Sequence, residues 1–293
     1  MDSDPVVRYD HRSWRLPLRF TVVRNPPLLG VHGNFSPRRP MIDQGRQNND
    51  RVCRMPLAVA SLITLLGVPQ LIVADDFSAL VTFSSNYFYR GYSKSANTPT
   101  VRANADYGLR LGDNGAYLGT WISRVEFGDH RYPDRTDVEF YPYLGAHFKI
   151  AEDWRLDTSV SRYIFVGDLF GKTSDYNEYN ASLHLSDVAS ARFAFSDDLY
   201  HRGHAAFNYE VSGRYPVTET IEASAGFGYY NAKPTLEYNS LYWNFGFTWF
   251  FSYVSMDFRY VDYFSVSAPV RGSPSIALPY VDPKFVFSLS AGW

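Results

Sequence analysis

The stretch from Thr100 to Phe127 reads TVRANADYGLRLGDNGAYLGTWISRVEF. Val101, Ala103, Ala105, Tyr107, Leu109 and Leu111 fall on one side of a period-two strand, and Arg102, Asn104, Asp106 and Arg110 on the other. GDNG follows, a tight-turn signal. AYLGTWISRVEF then resumes the alternation, with Tyr117, Trp121, Val125 and Phe127 together. Two alternating runs about a tight turn predict an antiparallel hairpin.

The same period extends in both directions. Upstream, FSALVTFSSNYFYR puts Phe77, Ala79, Val81, Phe83, Tyr87 and Tyr89 on one face. Downstream, strands are expected near 137–150, 154–166, 176–187, 190–198, 204–215, 220–231, 239–251, 253–264 and 283–293. The last, KFVFSLSAGW, alternates Phe285, Phe287, Leu289, Ala291 and Trp293 with small or polar residues. Connections alternate long and short along the chain. The long ones include GYSKSANTP, GDHRYPDRT and SVSAPVRGSPSIALPYVD; the short ones include GDNG, AEDW and PVTE. A transmembrane barrel sorts its loops this way, and a soluble sandwich has no reason to. In hydrocarbon every backbone N–H and C=O needs a partner within the protein, and a closed sheet supplies one for each. The reading is therefore all-β: a closed antiparallel up-and-down transmembrane β-barrel of about 12 strands. A soluble barrel is the alternative.

The chain has 293 residues, net charge −2 and 17% aromatics, with a pI near 6.4 and a mean hydropathy of −0.26. No basic excess points to nucleic acid. Cys53 is the only cysteine, so no disulfide framework or cysteine-based metal site exists. The run MPLAVASLITLLGVPQLIVADD has an apolar heart too short to span a bilayer as a helix. Arg51 and Arg54 precede it and small residues end it at Ala74, the layout of a secretory signal peptide. The expected organisation is 1–50 a disordered leader or mis-assigned start, 51–74 the signal peptide, and 75–293 the barrel, located in the bacterial outer membrane.

The inner face is expected to carry charge: Arg90, Arg102, Asp106, Arg110, Arg124, Glu126, Asp137, Glu139, Lys149, Arg155, Asp157, Glu210, Arg214, Glu222, Asp257, Arg259 and Lys284. Charge facing lipid at mid-depth costs about 2–4 kcal/mol for Arg or Lys, so a wet lumen is the cheaper place. Such a lining fits a selective pore or cross-strand ion pairs bracing a filled barrel. Tyr87, Tyr89, Trp121 and Trp293 are assigned to the membrane interfaces, with Tyr92, Tyr132, Tyr229 and Tyr230 joining the outer girdle. His184 and Ser186 in LHLS sit two apart, as in some serine hydrolases. That reading is weak, because no carboxylate partner is apparent. His201 and His204 in HRGH, Asp197 and Asp198 in SDDLY, and GDNG are too sparse for a metal site.

Several segments in order also carry a resemblance. FSSNYFYRGYS, YLGTWISRVEF, DVEFYPYLGAHF and FAFSDDLY are similar to motifs of the Gcw_chp family of proteobacterial proteins of unknown function. The resemblance covers about 77–293 and implies an outer-membrane-type barrel with no particular activity. FYRG stands here where the family more usually has FRG. The terminal aromatic is similar to the C-terminal signal read by the outer-membrane assembly machinery.

The expected function is a passive porin-like channel for small hydrophilic solutes. The alternatives are a closed structural or surface-interaction barrel and, more weakly, an outer-membrane lipid hydrolase. No enzyme activity, cofactor or metal is expected. The expected partners are outer-membrane lipid, the barrel-assembly machinery through the C-terminal strand, and small hydrophilic solutes, with no nucleic acid.

Overall fold

The computed structural model describes residues 75–127, 136–169, 171–266 and 284–292. The expected leader (1–50) and expected signal peptide (51–74), Tyr132 and Trp293 lie outside the described residues. Twelve strands close into one antiparallel barrel. In chain order they are β1 (Asp75–Ser84), β4 (Thr100–Leu111), β5 (Asn114–Arg124), β6 (Val138–Lys149), β7 (Trp154–Val166) and β8 (Tyr176–Leu185). They continue with β9 (Ala189–Ser196), β10 (Ala206–Pro216), β11 (Ile221–Asn231), β12 (Ser240–Phe250), β13 (Val254–Ser265) and β14 (Lys284–Gly292). Two further short strands, β2 (Phe88–Tyr89) and β3 (Tyr92–Ser93), form a separate hairpin. Among the described residues, helix is confined to short turns, α1 (Lys233–Leu236) and a 3-10 turn at Leu199–His201.

Each barrel strand pairs with its sequence neighbour, and β1 closes the ring against β14, with Ser84 opposite Ser288 and Leu80 opposite Gly292. One rim carries the tight connections after Leu111, Lys149, Leu185, Pro216 and Phe250. The other carries the long ones, including Ser85–Pro99 between β1 and β4.

Period-two alternation fixes which side each residue faces. Exposed on the outside are Leu118, Ile122, Leu144, Val160, Phe227, Phe245, Phe247, Phe258 and Phe285. Rings on adjacent strands meet there, Trp243 with Tyr260 at 5.3 Å and Tyr260 with Phe285 at 5.4 Å. A closed apolar belt of this kind suits acyl chains and is costly in water. The inner face is polar or small on most strands. At Gly246 the reason is close approach, because a Cβ there would lie 2.4 Å from the Phe258 carbonyl oxygen across the β12–β13 ladder.

The structure corrects the assignment of several aromatics. β1 ends at Ser84, and the chain then turns into the barrel, so Tyr87, Tyr89 and Tyr92 are fully buried in the lumen, not in an outer girdle. Tyr230 and Trp121 are also buried, facing inward. Trp121 follows the same parity as Tyr117 and Val125, while Leu118 and Ile122 take the outward positions. Tyr229 does lie on the outward side of β11, beside the long-loop rim, where the Asn239 side-chain amide donates to its hydroxyl at 3.0 Å.

Candidate functional site

The segment after β1 is built to enter the lumen. Ser85 holds its start on β14, with its N–H donating to the Phe287 carbonyl at 2.9 Å and its hydroxyl accepting from Phe287 N–H at 3.0 Å. Phe88 then pairs with Ser93 and Tyr89 with Tyr92. Between them, Arg90 and Gly91 both adopt positive φ, 47° and 95°, a turn that suits a two-residue hairpin and requires little side chain at the second position. A Cβ on Gly91 would also sit 3.0 Å from Ser240 Cβ, and the Ser240 hydroxyl donates to the Arg90 carbonyl at 2.9 Å. At the hairpin base, Asn86 Oδ1 accepts from the hydroxyls of Ser93 at 2.6 Å and Ser95 at 3.2 Å. The Tyr87 N–H donates to Ser95 Oγ at 2.9 Å. These side-chain bonds satisfy backbone and polar groups that leave the barrel ladder.

Two hairpin cations meet two acids of the wall. Arg90 makes a bidentate pair with Glu178 on β8, at 2.7 and 2.9 Å. Lys94 pairs with Glu139 on β6, which also accepts from the Tyr87 hydroxyl at 3.1 Å. All four side chains are at most 3% exposed. Rings surround both heads. Lys94 Nζ lies 4.1 Å from the Tyr89 ring centroid, 5.0 Å from that of Tyr163 and 5.9 Å from that of Phe165. Arg90 Cζ lies 4.8 Å from Tyr89 and 5.1 Å from Tyr230. Burial lowers the pKa of Lys94, which lies outside the twelve strands, and the adjacent Glu139 opposes that shift. Attraction and ring contact offset a large desolvation penalty here.

A row of wall aromatics on β5–β8 completes this layer. Trp121 stacks near Tyr141, Tyr141 on Tyr163 at 4.9 Å, and Tyr163 on Tyr176 at 4.6 Å with 6° between planes. Tyr200, from the β9–β10 connection, closes the row against Tyr176 and hydrogen-bonds Tyr92 through the hydroxyls at 2.6 Å. Arg102 reaches in from β4, 4.6 Å from the Tyr87 centroid and 5.8 Å from that of Trp121.

Toward the short-turn rim the lumen changes character. Tyr117 donates to Asp157 at 2.5 Å and Tyr143 bonds Asp106; Tyr242, near the long-loop start of β12, donates to Asn208 at 2.7 Å and Glu210 at 3.2 Å. Arg259 donates to Asn244, Ser224 and Asp257, and Thr248 donates to the same aspartate. This half is polar, with several inward side chains only half-buried, below an aromatic, filled layer.

Of the residues expected to line the lumen, Arg102, Asp106, Glu139, Arg155, Asp157, Glu210, Arg214, Glu222, Asp257, Arg259 and Lys284 take the inward parity of their strands. Arg90 is inside on the hairpin, not on the wall. Arg110 and Lys149 lie at the short-turn rim, paired with Asp76 and Asp113. Arg124, Glu126 and Asp137 are corrections. Arg124 shares the exposed outward side with Ile122, because Ser123 takes the inward position. Glu126 lies beyond the end of β5, where its N–H donates to the Lys94 carbonyl at 2.7 Å. Asp137 is exposed at the long-loop rim, before β6 begins. The sequence reading missed Lys94, Glu178 and Arg192, which the structure places in or beside the two ion pairs.

The weaker motifs stay apart. Ser186 sits in a turn and donates to Asp153 at 3.1 Å, while His184 faces the lumen. His201 meets Asp198 at 2.9 Å in a loop, and GDNG is a turn whose Asn114 side chain accepts from Lys149 N–H at 3.0 Å. Among the described residues no cluster of three or more His, Cys, Asp or Glu side chains could hold a metal ion.

A family described as bacterial protein of unknown function (Gcw_chp) matches residues 73–292. The chain belongs to the Gcw_chp family. A search of curated proteins found no match. Solved structures similar to this Gcw_chp barrel include an outer membrane channel from Pseudomonas putida F1, at 14% identity and TM-score 0.43, covering 76% of this chain and 96% of that one. The outer membrane channel DcaP of Acinetobacter baumannii is similar at 9% identity and TM-score 0.38, covering 75% and 97%. A deletion mutant of the TodX monoaromatic hydrocarbon channel is similar at 7% identity and TM-score 0.43, covering 74% and 89%.

Proposed function

We propose that this Gcw_chp barrel resides in the bacterial outer membrane and is a gated channel for small hydrophilic solutes, shut by the β2–β3 hairpin in the state described. The observation that carries this reading is the division of the lumen. Toward the short-turn rim the inward side chains are polar and several, Arg155, Asp157 and Glu222 among them, are only half-buried, while the β2–β3 hairpin, joined by Tyr200, fills the layer above. The exposed apolar belt supports the membrane setting. The sorting of short turns to one rim supports an orientation with that rim toward the periplasm. Solutes would pass by diffusion once the hairpin moves.

A second reading, a permanently closed structural barrel, is favoured by the complete burial of the hairpin's cations. Planar-bilayer recording of the refolded protein separates the two. Gated conduction predicts rare openings in the wild type and frequent ones when Arg90→Ala and Lys94→Ala are combined. Silence of both proteins at every voltage would leave the structural reading. Co-fractionation with outer membranes and heat-modifiable gel migration test the location.

A further inference from the structure

The hairpin's two cations occupy sites that the barrel wall provides. Glu139, with Tyr163 and Phe165, belongs to the strands β6 and β7; Glu178 and Tyr230 belong to β8 and β11. A buried carboxylate beside aromatic faces is the chemistry that recognises an alkylammonium or guanidinium head. Strong hydration makes a small inorganic cation a poor match for such faces, whereas an organic cation carries an apolar stem that the rings also accept. The hairpin's Lys94 and Arg90 present one head of each type.

We propose that the Glu139 and Glu178 cradles are binding sites for small organic cations with a primary ammonium or guanidinium head, which compete with the hairpin for the wall. This deepens the gated-channel reading and rests on it: the solute class is cationic, and the solute itself releases the plug. The hairpin's cations then act as internal stand-ins for the ligand.

The probes are n-butylammonium and n-propylguanidinium, the side-chain analogues of lysine and arginine, added to the detergent-folded wild-type protein. Hydrogen exchange of the 85–99 segment is expected to accelerate several-fold and saturably with either probe, and not with NaCl or tetramethylammonium at equal ionic strength. In Lys94→Ala, which empties one cradle, n-butylammonium is expected to raise the unfolding temperature saturably. No acceleration in the wild type, or effects that NaCl reproduces, would overturn the proposal. Both readouts are independent of current. A barrel that conducts but ignores the probes defeats only the cation assignment. A barrel that answers the probes but never conducts keeps the binding sites and loses the channel.

Discussion

At the scale of single residues, the Lys94–Glu139 pair decides most. Neither side chain is exposed, and each compensates the other's buried charge. Replacing Lys94 with Met removes the cation paired with Glu139 and leaves it the Tyr87 hydroxyl bond, and the expected cost is about 3–5 kcal/mol. Thermal unfolding in detergent measures it. Lys94→Met combined with Glu139→Gln removes both charges and is expected to recover most of the loss; equal instability of single and double variants would show that packing, not charge, holds the layer. Gly246 makes a different point. The Phe258 carbonyl leaves no room for a Cβ, and Arg259 lies just behind it, so Gly246→Ala is expected to cost about 1–3 kcal/mol by parting two strands and pressing on Arg259. The signal that marked Lys94 and Arg90 was present in the sequence. YFYRGYSKS places Gly91 between aromatics, a residue that accepts the positive φ a tight turn needs, and sets lone cations among rings. Period-two alternation hid it, because Tyr87 and Tyr89 continue the parity of Phe83 without a break.

At the scale of elements, the barrel strands were legible because each obeys one rule. β7 spans Trp154–Val166 as expected, and β12 and β13 agree within a residue or so at each end. The orientation of β5 near the long-loop rim was not legible, and on β6 to β8 the charged residues marked the inward side but the aromatic filling beside them was not foreseen. The hairpin occupies the lumen there, so the inward positions become a hydrophobic core of their own and take Trp121, Tyr141, Tyr163 and Tyr176. Alternation identifies a strand but cannot say which apolar face meets lipid when both faces are aromatic. β12 gives the test for the outward side. Phe245 lies at its middle and is exposed, so Phe245→Arg is expected to cost about 2–4 kcal/mol in folding into lipid vesicles, whereas Phe245→Leu stays within about 1.5 kcal/mol. A tolerated arginine would mean that the belt does not face hydrocarbon. The hairpin has its own test in Gly91→Ala, which strains a positive φ and crowds Ser240. It is expected to raise protease cleavage within 85–99 severalfold while leaving the barrel's unfolding temperature within a few degrees of the wild type.

At the scale of the whole molecule, closure is the property on which the others depend. Removing residues 284–293 exposes the free edges of β1 and β13, and the shortened protein is expected to lose heat-modifiable migration and to aggregate in detergent. Retention of a compact, fast-migrating form would show that eleven strands reseal. The seam has a further consequence for how the chain is made. Barrel strands adjacent in the chain are joined by connections of between 2 and 18 residues, yet the Ser84–Ser288 contact joins positions 204 apart. Zipping up the sheet from hairpin to hairpin is therefore local and fast, and only the final stitch is distant. While the chain is threaded from its first strand onward, β1 waits with one side unpartnered until the last nine-residue strand has arrived. A half-delivered polypeptide would bear that raw border for as long as synthesis or export stalls. Any cellular device that grips bare strand borders would thus sort finished barrels from unfinished ones without reading anything else about them.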